Sequence, residues 1–100
     1  MTSTDNRPWT FLTNHARVLV MISSDPEIRL RDLSATIGIT ERSAQRIVAE
    51  LEEGGYLTHE KVGRRNRYEV SLGVGLRHPH EQDVEVGMLL ALFSDAGIDS

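Results

Sequence analysis

The sequence predicts a mainly α-helical domain with one small β-hairpin, an α+β fold closed by a C-terminal helix. Three observations predict it. Apolar residues recur at helical spacing in segments between residues 15 and 53, Tyr56 to Val70 alternates about a central glycine, and Val84 to Phe93 is apolar over a helical length. With 100 residues there is room for one small domain with short arms. Hydrophobic residues at 39% and charged residues at 26% give a soluble globular composition rather than a disordered one.

Met1 to Pro8 is polar and turn-prone and is expected to fray, within an N-terminal arm over residues 1–12. Thr13 or Asn14 can cap a first helix through His15 to Ile22. That run is apolar at nearly every position except Arg17, so burial on more than one face is expected. Ser23-Ser24-Asp25-Pro26 ends it, because proline biases the preceding residue away from helix. Ile28 and Leu30 alternate with Arg29 and Arg31, which predicts a short extended stretch before a second helix from about Asp32 to Ile37. Gly38 can take the left-handed conformation that ends that helix, and Thr40 can cap a third, Glu41 to Glu53, stopped by Gly54-Gly55.

Tyr56–Val62 and Asn66–Val70 read as strands joined by the three-residue link Gly63-Arg64-Arg65. These elements make a domain over residues 13–72. Ser71 to His80, with Gly73, Gly75 and Pro79, reads as a connector, and Val84 to Phe93 as a last helix with Glu81 and Asp83 near its N-terminus. Residues 73–100 are assigned to this connector and helix.

Leu33, Ile37, Ile39, Ala44, Ile47, Val48 and Leu51 let two helices pack across a three-residue turn, with small Ser34 and Gly38 at the close approach. This is the helix-turn-helix pattern. Opposite the stripe Ala44, Ile47, Val48 and Leu51 lie Arg42, Arg46 and Ala49, flanked by Ser43 and Gln45. Arginine can be bidentate to guanine and glutamine to adenine in the major groove, although the same residues also suit a solvated helix face. Glu41 opposes a polyanion and is assigned to the positive end of the helix dipole.

Formal net charge is −4, but its distribution is uneven. Residues 29–67 hold eight basic and six acidic side chains, leaving three basic against nine acidic elsewhere. Lys61, Arg64, Arg65 and Arg67 put four positive charges into seven residues, a crowding that phosphates would relieve. Protecting a strand edge explains one or two such charges better than four.

The order helix, short strand, helix, turn, helix, basic hairpin resembles a winged helix-turn-helix domain, and more narrowly the MarR/ArsR-type transcriptional regulators of bacteria and archaea. The resemblance spans about residues 13–70. It is carried by Leu30-Arg31-Asp32-Leu33, Ile39 to Val48, Leu51-Glu52-Glu53-Gly54-Gly55-Tyr56-Leu57 and Gly63 to Tyr68. It implies a recognition helix from Thr40 to Ala49, a wing from Lys61 to Arg67, and a homodimer on a roughly two-fold operator. There is no cysteine, so the thiolate metal sites common in ArsR-type sensors are not expected, and no cofactor is assigned. The long extra helices of MarR ligand sensors are not expected within these 100 residues, and any effector ligand stays open.

The expected function is that of a sequence-specific regulator binding double-stranded DNA as a homodimer and repressing by excluding polymerase. Thr40, Arg42, Ser43, Gln45 and Arg46 on the helix, with Lys61, Arg64, Arg65, Asn66 and Arg67 on the hairpin, are the candidate DNA contacts. The last helix carries more apolar surface than a thin domain is expected to cover, Val86 and Leu90 included. Trp9, Phe11, Leu12, Met88, Leu89, Leu92 and Phe93 are therefore the candidate dimer interface. The alternative is a winged-helix module that binds protein or RNA, which the acidic total favours.

No Gly-rich phosphate loop, nucleophile elbow or HExxH pattern occurs, so an enzyme is not expected. His78-Pro79-His80-Glu81 offers metal-ligand types, but proline interrupts their geometry and no fourth ligand is evident, so no metal is assigned. No signal-peptide or membrane-spanning run is read in the sequence, and a cytoplasmic, nucleoid-associated protein is expected.

Overall fold

The computed structural model describes residues 9–95, so the expected fraying of Met1 to Pro8 lies outside the described residues. The elements are α1 (Asn14–Ser24), α2 (Leu30–Ile37), α3 (Glu41–Glu53), β1 (Leu57–Val62), β2 (Arg65–Val70) and α4 (Val86–Asp95). Thr13 caps α1, its hydroxyl accepting from the Ala16 N–H at 3.2 Å. Val18, Leu19 and Ile22 are buried, while Val20 and Met21 pack half-buried against the same core. α1 thus buries a broad side, as its nearly continuous apolar run predicts.

α2 starts two residues earlier than the alternation at Ile28–Arg31 suggests, and no strand precedes it. The reason is local hydrogen bonding. The Ile28 N–H closes a turn onto the Asp25 carbonyl at 3.0 Å, and Arg29 adopts the extended N-cap conformation. One backbone bond, from the Tyr68 N–H to the Pro26 carbonyl at 2.8 Å, ties this segment to β2 without building a ladder.

At the other end of α2, Gly38 takes φ 90°, and the N–H groups of Gly38 and Ile39 both bond the Ser34 carbonyl, at 2.8 and 3.0 Å. Thr40 then caps α3. The helix runs from Glu41 to Glu53, the expected bounds.

In the hairpin, Val62 pairs with Arg65 and Leu57 with Val70. The link is therefore the two residues Gly63-Arg64, one shorter than expected, and Arg65 begins β2. Gly63 has φ 65° and Arg64 is not left-handed, the glycine-first pattern of a type II′ turn. Such a turn matches the twist of the flanking strands, which favours two residues over three.

The connector returns across the domain. The N–H groups of Leu76, Val86 and Gly87 bond the carbonyls of Val84, Val74 and Leu72 at 3.0, 2.8 and 2.9 Å, and Gly75 bridges Glu85. Tyr56 Oη donates to the Gly75 carbonyl at 2.5 Å. A Cβ at Gly75 would run into the Gln82 carbonyl, so glycine is required there.

These bonds delay α4 to Val86, two residues later than expected, and leave Glu81 and Asp83 outside its first turn. Val86 and Leu90 are part of the same core as α1, α2, α3 and the hairpin, so these two do not belong to the apolar surplus. Among the described residues, no helix is long and apolar enough to cross a membrane.

Candidate nucleic-acid interface

α3 buries Ala44, Ile47, Val48 and Leu51. Because a helix turns by roughly 100° per residue, the opposite side carries Arg42, Arg46 and Ala49, with Gln45 at its edge. All four are exposed. Ser43 is half-buried, and the Thr40 hydroxyl both accepts from the Ser43 N–H and donates to the Ser43 hydroxyl, each at 3.0 Å. These two hydroxyls therefore hold the helix start together.

Two histidines fix the flanks of α3. His15 on α1 bonds Glu50 at 2.7 Å, and His59 on β1 bonds Glu52. The hairpin thus lies along the Glu52 side of α3 and α1 along the Glu50 side. By the same rotation, Glu41 and Gln45 share the hairpin flank with Glu52, whereas Ser43 and Arg46 share the α1 flank with Glu50.

Alternation divides the hairpin residues by face. Leu57, His59, Lys61, Asn66, Tyr68 and Val70 share the side whose Leu57 and Tyr68 enter the core, and Arg65 and Arg67 belong to the other side. Their guanidinium groups part company. Arg65 reaches round the β2 edge, its Nη1 donating to the Glu27 carbonyl at 3.3 Å.

Arg65, Arg64 and Asn66 border an open cleft of about 490 Å³ with Glu41 at the start of α3. The cleft's remaining walls are Glu27 to Arg31, with Tyr68 beneath. Arg67 lies instead in a groove beside Pro26 and Thr58, its Nε 3.6 Å from the Glu27 carboxylate. Lys61 is exposed and does not line this cleft. Arg29 and Arg31 do border it, and were not among the residues expected at the site. Their sequence signals are membership of the basic stretch over residues 29–67 and alternation with Ile28 and Leu30; in the structure Arg29 is the N-cap of α2 and Arg31 lies in its first turn.

Carboxylates partly neutralise this surface. Glu50 accepts from His15 and also sits 3.5 Å from Arg46. The His15 hydrogen bond outweighs an opposing desolvation effect and, with the charges of Arg46 and His15, holds the Glu50 carboxyl below its usual range. Among the described residues, no ion pair holds Arg29, Arg31, Arg42, Lys61 or Arg64. Nor, among them, is any group of three metal-ligating side chains gathered.

The candidate dimer residues are mostly exposed. Trp9 and Phe11 meet edge to face at 5.2 Å, and Met88 and Leu92 project from α4. Leu12, Leu89 and Phe93 are half-buried. Leu89 also borders a cavity of about 140 Å³ with Ala16 and Leu19, so it faces its own α1.

The helix-turn-helix with its basic hairpin is matched by the model of the MarR family over residues 10–67, more than half of the chain. The chain belongs to the MarR family. This MarR-family domain has the winged helix-turn-helix fold, with α2 and α3 as the helix pair and β1–β2 as the wing, and the family is one of transcription regulators. The matched region ends within β2, so α4 lies outside it. No curated protein matches the MarR-family chain significantly.

Proposed function

We propose that this MarR-family protein binds double-stranded DNA as a homodimer, recognises a two-fold operator, and represses by occupying promoter DNA that polymerase needs. The observation that carries the reading is the meeting of Arg64 and Arg65 with the start of α3 on one cleft, beside an α3 side that exposes Arg42, Gln45 and Arg46. Two elements distant in sequence thereby form one cationic surface. Arg42, Gln45 and Arg46 read base edges in the major groove, with Thr40 and Ser43 at its entry. Arg64, Arg65, Asn66 and Lys61 hold flanking phosphates or the minor groove, and Arg67 contributes mainly by tying the wing to Glu27.

The dimer brings two such surfaces onto successive half-sites about 34 Å apart. Phe11 at 91%, Trp9 at 65%, Leu92 at 64% and Met88 at 59% exposure supply the apolar surface that association would cover. The arm over residues 1–12 and the segment over residues 73–100 serve that association, while residues 13–72 bind DNA.

The salt dependence of duplex binding tests the reading. With about four phosphates neutralised per protomer, log K against log salt has a slope of about −7 for the dimer. A flat dependence, or no duplex binding at low salt, would refute it and favour a protein-interaction module.

A further inference from the structure

We infer that Arg29 and Arg31, facing Arg64 and Arg65 across the cleft, complete a clamp for one phosphodiester of the DNA backbone. This makes the α1–α2 segment a third contacting element beside the recognition helix and the wing, and it rests on the DNA-binding reading above. Four arginines line the cleft, with Glu27 and Glu41 as the acidic residues of its lining. Glu27 is already committed to a fifth guanidinium, that of Arg67, at 3.6 Å. Glu41 alone is left facing the four.

Among the described residues, Arg29, Arg31 and Arg64 have no ion-pair partner. Like charges gathered in this way repel, and an anion shared between them reverses the sign of that interaction. Guanidinium forks suit phosphate oxygens, since each can donate two parallel hydrogen bonds. The walls are also pre-positioned. The Tyr68 N–H to Pro26 carbonyl bond at 2.8 Å and the Arg65 to Glu27 carbonyl bond at 3.3 Å join the wing to the α1–α2 segment. The backbone of the walls is thus in place, and binding has to order the exposed arginine side chains. The cleft also adjoins Glu41, the first residue of α3, so a phosphate held there flanks the groove that α3 enters.

The test compares salt slopes of the full chain, its Arg29→Ala/Arg31→Ala variant, and an Arg17→Ala/Arg77→Ala control that removes the same charge away from the cleft. Thermal melts confirm that all three fold, and Arg29→Lys/Arg31→Lys reports whether positive charge alone suffices. The cleft variant is expected to weaken binding to unrelated duplexes alike and to reduce the dimer's slope by about 2, one phosphate per protomer at about 0.9 each. The lysine variant recovers that slope with part of the affinity.

If the cleft variant binds like the Arg17→Ala/Arg77→Ala control while wild type keeps a steep slope, the clamp is refuted and the DNA-binding reading stands. If wild type binds no duplex, both fall together. Titration with inorganic phosphate at matched ionic strength, followed by NMR of the arginine side chains, separates the two phosphate sources. Saturation by phosphate that duplex does not displace would assign the cleft to a free anion and overturn the backbone contact.

Discussion

Replacing Thr40 by alanine removes one hydroxyl that serves both the fold and the proposed interface. In the structure, that hydroxyl accepts from the Ser43 N–H and donates to the Ser43 hydroxyl, both at 3.0 Å. No other hydrogen bond involving the Ser43 N–H is seen among the described residues, so its loss leaves an open donor in the first turn of α3. Such caps are worth about 1 kcal/mol, within a range of about 0.5–2 kcal/mol. For a domain of this size each kcal/mol moves Tm by about 4–8 °C, so Thr40→Ala is expected to lower Tm by about that amount.

Thermal unfolding followed by circular dichroism measures the change, and two companion variants separate cap from contact. Thr40→Ser keeps both roles. Thr40→Asp keeps the cap, because a carboxylate accepts well at a helix N-terminus, but sets a negative charge against DNA. It should therefore recover Tm while losing duplex affinity. A Thr40→Ala melt within about 1 °C of wild type would refute the capping argument, because that is well below the shift expected for a lost cap. Failure of Thr40→Asp to restore Tm would refute it equally.

Gly38→Ala is expected to lose about 1–2 kcal/mol, since φ is 90° there and nothing lies within 4 Å of an added Cβ. Denaturant titration checks this, and an unchanged midpoint contradicts it. Glu50 has its carboxyl pKa lowered from 4.5, so its contribution to stability is full above that value and is lost as pH falls through the lowered one. Unfolding measured between pH 5 and pH 3 should show a shallower acid loss in Glu50→Gln than in wild type. Met88→Asp/Leu92→Asp should yield folded monomers in sedimentation, because both side chains are exposed on the single chain; a dimer that persists excludes this face of α4.

The best-read element was α3, because its limits are set by neighbours in sequence: the Thr40 cap before it and Gly54-Gly55 after it. Gly38 was legible for the same reason. The errors lie where distant bonds decide. Ile28 to Arg31 alternates like a strand, but one bond to Tyr68 cannot make a ladder, and the Asp25 turn leads directly into α2. Hydrogen bonds from the returning connector delay α4.

For the site, the exposure of Arg42, Gln45 and Arg46 followed from the helical repeat. The hairpin was harder, since a link one residue shorter changes which residues pair across it. Alternation with buried Tyr68 sets Arg65 and Arg67 on the outer side, and from there Arg65 reaches the cleft and the Glu27 carbonyl and Arg67 the Glu27 carboxylate. The sequence does not show the place of Arg29 and Arg31 beside the wing, because it depends on a long-range bond from the Tyr68 N–H to the Pro26 carbonyl.

Selection of bound sequences from a random duplex pool by the wild-type chain tests the central claim most directly. The account predicts enrichment of one two-fold symmetric motif, its half-sites about 10 base pairs apart, centre to centre. A pool that emerges with no enriched sequence, or a motif without symmetry, would contradict it.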